Sequence, residues 1–322
     1  MAYTVLAFAE EVLAESEKPL TFQEIWEHGV ERHFHEKVNL SGKTPWQTLG
    51  SRLYVDVRDN TKSKFIKVGK NPARFFLVRR QDEISEKLLA KIEINDRTAT
   101  KDVAGFSERE LHPLLTYFAY ANPSFSRGRT IYTKTIYHEK SKKHGYNEWL
   151  HPDLVGFYLP LDDWNTELIE FNKLSENNVL KLFSFEIKKS LNKSNYRASF
   201  FQAVSNSSWA NESYLVAADI KQDDDLLSEL ERLSMSFGVG IIHLNLSDFD
   251  ASAVLFPAKI RANLDWETMN KLCEQNTDFM QFIEDVRIDF QAAKIHKSEY
   301  DSILDDPLVY IQKHMFKNRK HP

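Results

Sequence analysis

Three side chains set the chemistry open to this sequence. Asp153 stands in His151-Pro152-Asp153, just ahead of the apolar run Leu154-Val155-Gly156-Phe157, and Glu186 and Lys188 lie two positions apart in Leu182-Phe183-Ser184-Phe185-Glu186-Ile187-Lys188. An extended strand sends alternate side chains to opposite faces, so Phe183, Phe185 and Ile187 share one face while Leu182, Ser184, Glu186 and Lys188 share the other. A carboxylate and an ammonium on so apolar a strand cost desolvation unless a metal ion, a solvent cleft or their mutual contact compensates them. With Asp153 at the mouth of a neighbouring strand, two carboxylates and a lysine can converge. That set suits phosphodiester hydrolysis. Mg²⁺ takes oxygen ligands, commonly one or two carboxylates with waters and phosphate oxygens, and Mn²⁺ can substitute for it. Asp153 and Glu186 would hold the ion, and Lys188 would serve the attacking water or the charge of the transition state. The competing reading is an ion pair exposed at a sheet surface, the commoner origin of a Glu-x-Lys spacing.

The elements that must position these residues can be read from periodicity and caps. A helix is expected over 107–121, strands near 130–138, 154–159 and 179–189, and a helix over 195–210. A strand at 214–219, a helix at 224–237 and a strand at 240–246 follow. Helix, three strands, helix, strand describes an α/β sandwich with a mixed sheet, an αβββαβ core. The spacing of 33 positions between Asp153 and Glu186 leaves room for an extended loop or helix around Asp162-Asp163-Trp164-Asn165.

A different pattern occupies the first eighty residues. A helix is expected over 3–15, and Thr21 with Glu24 forms a capping-box signature ahead of a second helix. A third begins at Thr44-Pro45. Lys64 to Val78 then alternates around Gly69-Lys70-Asn71-Pro72 as a β-hairpin. Three helices and a hairpin make a winged helix-turn-helix whose third helix would enter the major groove of double-stranded DNA with the wing against the phosphates.

Charge supports that placement. The formal net charge is −5, yet residues 43–80 hold ten basic and two acidic side chains, against three and eight in residues 1–42. The expected DNA contacts are Lys43, Thr44, Gln47, Ser51, Arg52 and Arg58 from the helix and Lys62, Lys64, Lys67, Lys70 and Arg74 from the wing. A solvated basic face used for protein contacts is the alternative. The expected organisation is a winged helix at 1–80, a charged linker at 81–105, and a core at 106–322 ending in a helical extension over 266–282.

The run GKTPWQTLGSRLYVDVRDNTKSKFIKVGKNPARFFL, Gly42 to Leu77, resembles the HARE-type helix-turn-helix. The stretches WLHPDLVGFYLP and LFSFEIKKSL resemble the PD-(D/E)xK restriction endonuclease-like superfamily, with Pro152-Asp153 and Glu186-Ile187-Lys188 as the two halves of its signature. The two together are similar to bacterial HrgA-type restriction endonuclease-like proteins. The resemblance implies an α+β chain and a Mg²⁺-dependent endodeoxyribonuclease acting in restriction or phage defence, on DNA with or without modified bases. It also implies a backbone metal contact at Ile187, an accessory acid at Glu110 and a polar helix residue at Gln202. A homodimer is expected because two strands call for two active sites. The alternative is a non-catalytic DNA-binding regulator whose nuclease-like domain serves dimerisation or sensing.

Other chemistries find little footing. Cys273 is the single cysteine, which forbids an internal disulfide or a CxxC zinc site and fits a reducing, cytoplasmic address. His28, His33 and His35 are not spaced to present three ligands on one helix face. No phosphate-binding glycine loop occurs among ten glycines. No membrane span or secretion signal is expected, and the basic tail of Lys313, Lys317, Arg319 and Lys320 reads as a solvated end.

Overall fold

The structure is a computed structural model of the 322-residue chain. It describes residues 3–38, 45–69, 73–86, 88–89, 92, 106–137, 151–162, 164–174, 179–221 and 223–318.

Locally signalled pieces build the front of the molecule. Thr4 caps α1 (Val5–Glu15), its hydroxyl accepting from the Ala7 N–H. Thr21 and Glu24 close the reciprocal capping box at the start of α2 (Phe22–Glu31), as their spacing predicts. α3 (Pro45–Asp59) follows, then the hairpin of β1 (Phe65–Val68) and β2 (Arg74–Leu77), with Phe65 opposite Leu77. Phe8, Leu13, Ile25, Leu53 and Phe75 join the three helices to the wing in one core. Gly29 lets α2 approach α1, because a Cβ there would stand 2.1 Å from the Phe8 ring. The 3₁₀ turn Val78–Glu83 also belongs to this unit: Arg80 donates to the carbonyls of Leu13, Ala14 and Ser16, satisfying the open end of α1. Most of the expected linker, residues 93–105, lies outside the described residues.

The second domain opens with α4 (Glu108–Ala121), capped by Ser107, and a one-turn helix at Pro123–Ser126. β3 (Ile131–Thr135) and β4 (Leu154–Tyr158) come next. α5 (Thr166–Leu174) occupies part of the long spacing before β5 (Lys181–Leu191). The chain continues through α6 (Tyr196–Ser205), β6 (Glu212–Ile220), α7 (Asp224–Phe237), β7 (Gly240–His243) and β8 (Ala253–Phe256). The six strands lie in chain order, antiparallel from β3 to β5, parallel from β5 to β7, and antiparallel again at β8.

Helices cover both faces of this sheet. Phe183, Phe185, Ile187 and Val216 pack with Leu111, Leu115 and Phe118 of α4, while Leu215, Ala217 and Ile241 pack with Phe200 of α6 and Leu230 of α7. The alternation along β5 therefore divides as its sequence pattern predicts.

Differences from the sequence expectation lie toward the C-terminus. The single helix expected over 266–282 is two, α8 (Trp266–Gln275) and α9 (Thr277–Ala292). Asn276 makes the break: its N–H closes α8 on the Leu272 carbonyl, and its side-chain oxygen accepts from the Asp278 and Phe279 amides to start α9. β8 was not anticipated, because Ala253–Phe256 is short and only half-buried. The chain closes with α10 (Pro307–Asn318). No described helix is long and apolar enough to cross a membrane.

Candidate active site

The site arises where β4 starts one residue too late to pair with all of β5. Leu154, the first residue of β4, stands opposite Phe185, so the backbone of β5 beyond that point loses its strand partner on this side. Asp153 replaces it: its Oδ2 accepts from the Ile187 N–H at 2.6 Å. In an extended strand a residue's N–H and C=O leave on the same side, so the Ile187 carbonyl leaves β5 toward Asp153 as well.

Glu186 projects to the α6 face and is 1% exposed. Lys188 donates to its Oε1 at 2.7 Å and Asn206 to its Oε2 at 3.2 Å. Burial, and next the charge of Asp153, push the Glu186 carboxyl up to about 8 despite Lys188 and Asn206, which pull it down. Lys188 is held above the ordinary lysine range; burial works against its charge and is outweighed by Glu186 and Asp153. Asp153, Glu186, Ile187 and Lys188 thus meet at one strand end.

Gln202 and Glu110 need separate treatment. α6 joins two parallel strands and so runs back along the sheet. Asn206 lies against Glu186 and accepts from the Ser184 hydroxyl through its carbonyl. One helical turn of about 6 Å matches two strand residues of about 6.6 Å, which brings Gln202 level with Lys188. Glu110 is used differently from the expectation: its carboxylate accepts from the Ser107 N–H and hydroxyl, closing the capping box of α4. The helix acid that reaches β5 is Glu108, which accepts from the Lys189 N–H at 3.3 Å and adds to the field on Lys188.

Asn206 and Glu108 are therefore the site residues that sequence reasoning missed. Asn206 had a signal, since it lies four positions after Gln202 on the same helical stripe. Glu108 had a weaker one. Either acid of Glu108-Arg109-Glu110 could face the sheet until the capping box is known.

The basic face of the winged helix is more heavily paired than its charge count suggests. Arg74 donates to Glu24 at 2.7 Å and Lys64 to Glu10 at 2.7 Å. Lys67 reaches the buried Asp248 of the core at 3.0 Å, and Tyr54 on α3 donates to the same carboxylate at 2.7 Å. Arg58 is held by its neighbour Asp59. Arg52 and Lys62 are exposed, and Gln47 and Ser51 fall on α3. Lys43, Thr44 and Lys70 lie outside the described residues. His28 and His33 each face a separate glutamate, Glu31 and Glu36.

Neither a curated protein nor a solved structure matches this chain. Residues 3–76 match the HARE-HTH family, described as an HTH domain of ASXL and restriction endonuclease proteins. With three helices closed by a two-stranded wing over the same span, the front of the molecule is a HARE-type winged helix-turn-helix.

Proposed function

We propose that the chain is a metal-dependent DNA endonuclease in which the winged helix holds double-stranded DNA and the α/β core hydrolyses a phosphodiester bond. One observation carries the reading: Asp153 and Glu186 come from neighbouring strands close enough that the charge of one hinders ionisation of the other, with Lys188 on the same carboxylate. The order α4, β3, β4, β5, α6, β6 and its strand directions agree with an αβββαβ core, which supports the PD-(D/E)xK and HrgA-type reading. A cytoplasmic role in restriction or phage defence, on modified or unmodified DNA, follows from that likeness.

The donor set fits a Mg²⁺ or Mn²⁺ ion. Among the described residues no three His, Cys, Asp or Glu side chains form a ligand group. Asp153 and Glu186 would therefore hold the ion as a carboxylate pair with the Ile187 carbonyl, the remaining positions going to water and phosphate. A carboxyl pushed up to about 8 by burial and a like charge is one that a divalent cation returns to the anion, with release of a proton. When bound, such an ion neutralises phosphate charge and lowers the pKa of a water. Lys188 would hold the attacking water or the charge developing on phosphate; Asn206 holds Glu186 in place, and Gln202 stands level with Lys188. Cutting both strands calls for a homodimer.

The test uses purified full-length chain, Mg²⁺ or Mn²⁺, and plasmid DNA with and without base modification. Cleavage should require the metal and vanish in Asp153→Asn and Lys188→Ala, and metal titration in weak buffer should release a proton in wild type but not in Glu186→Gln. Cleavage surviving both substitutions would remove the site assignment.

The second reading, a DNA-binding regulator without catalysis, is favoured by the closure of Glu186 onto Lys188 and Asn206 at 1% exposure. It requires salt-sensitive DNA binding with no cutting in any divalent ion.

A further inference from the structure

On the sheet face opposite Glu186 lies a cavity of about 550 Å³ at the seam between the winged helix and the core. Its position follows from β6: Tyr214 pairs with Phe185 and shares that residue's face, while Glu186 points the other way. α3 contributes Tyr54, Val55 and Arg58 to the wall, and the core contributes Phe125, Arg127 and Asp250. Interdomain clefts of this volume are where small ligands commonly bind.

Two side chains here are left without partners that the fold could have supplied. The part-buried Asp250 carboxyl hydrogen-bonds to no described residue; burial, then Asp248 and Asp306, push it up to about 7. Arg127 stands in a left-handed backbone conformation, φ 51°, unusual for a residue with a side chain, and forms no ion pair among the described residues. Phe125 and Tyr214 pack edge to face at 5.2 Å to form an apolar floor. A metal cation would suit Asp250 but be repelled by Arg127. An inorganic anion would suit Arg127 but meet Asp250 and an apolar wall. A ligand that answers all three carries N–H donors, a planar apolar body and a negative charge.

We propose that this cavity takes one nucleotide unit, its base N–H groups on Asp250, its ring over Phe125 and Tyr214, and its phosphate on Arg127 and Arg58. Asp and Glu read exocyclic amines of bases in this way. The unit can come from a free nucleotide or from a nucleotide extruded out of bound duplex, since both present the same chemistry. The site stands apart from Asp153 and Glu186 and does not depend on hydrolysis.

The experiment is run in the full-length Asp153→Asn chain, so that absence of cleavage leaves it unaffected. One arm titrates GMP, CMP and inorganic phosphate calorimetrically. The other adds a duplex containing 2-aminopurine, whose fluorescence rises when the base leaves the stack. A signal in the first arm identifies a free nucleotide, and one in the second an extruded nucleotide. In whichever arm responds, Asp250→Asn and Arg127→Ala should each weaken binding by roughly ten- to hundredfold, with Arg127→Lys recovering part of it. Val55→Trp, at an exposed position on the rim, should block entry while leaving the fold intact. Asp250→Asn removes a hindered acid, so its unfolding midpoint should not drop. No signal in either arm overturns the proposal. So does a signal that Asp250→Asn and Arg127→Ala leave unchanged, or inorganic phosphate binding as tightly as the nucleotides.

Discussion

The two domains use charge in opposite ways. On the winged helix, Lys64 faces Glu10, Lys37 faces Glu11 and Arg58 faces Asp59 at half-exposed positions, where water screens each pair and each contributes little. In the core, Glu186 and Lys188 meet at 1% and 18% side-chain exposure, with Asp153 at the same strand end. Such a group is expensive to desolvate and hard to justify as a stabilising device. A surface pair can be lost with small consequence, whereas a buried carboxylate cluster persists where its charge is needed.

The largest effect should come from breaking the core cluster. Asp153→Asn keeps the size of the side chain but removes one of two acidic ligands, and cleavage should fall by at least about a thousandfold. DNA affinity measured in Ca²⁺ should change by less than about twofold, since the reading surface is elsewhere. A variant that still cuts would place the chemistry outside this strand end.

The next effect sharpens the boundary between the domains. Asp248 is 2% exposed and accepts from both Tyr54 on α3 and Lys67 on β1. Burial, followed by the charges of Asp248 and Asp250, holds the Tyr54 phenol well above its ordinary range, so it donates throughout the accessible pH range. Asp248→Ala leaves a phenol and an ammonium without their acceptor and should cost about 2–3 kcal/mol. Urea unfolding should separate into two transitions if this carboxylate couples the domains. A single transition with an unchanged midpoint would assign the coupling to the surrounding apolar contacts.

Smaller effects distinguish basic residues that face solvent from those used inside the fold. Arg52→Ala and Lys62→Ala should each weaken DNA binding a few-fold across all sequences and lower the salt slope by about one. Arg74→Ala should instead cost about 1 kcal/mol of stability, because Arg74 clasps Glu24 and the Pro19 carbonyl. Filter binding across a salt series and thermal melts of the same three variants separate the two classes.

The same contrast explains what could be read from sequence. Thr21 with Glu24, Ser107 with Glu110, and Pro45 act through neighbours within four positions, and those helix starts were legible. The alternation of β5 was legible too, since burial on both faces imposes a two-residue period. The Asn276 break was harder to read, because apolar residues continue through it and one amide serves two helices. Glu108 could not be told from Glu110 until the cap claimed one of them. The pairing of Lys67 with Asp248 spans 181 positions and has no local signal at all.

The weakest expected effect isolates one surface charge of the winged helix. Glu24 is held below the usual carboxylate range: burial acts to raise it, and the Thr21 N–H, Arg74 and the Thr21 hydroxyl outweigh that burial. A carboxyl depressed on folding contributes its stability in full above the unfolded value of about 4.5 and loses it as pH falls through that range. Glu24→Gln keeps the capping box, because glutamine also reaches back to the Thr21 N–H, and so removes the charge alone. The variant should be less stable than wild type by a few tenths to about 1 kcal/mol at neutral pH, with the difference closing below about pH 3. A difference that stays constant from neutral to acid would attribute the effect to the altered hydrogen bond rather than to the ion pair with Arg74.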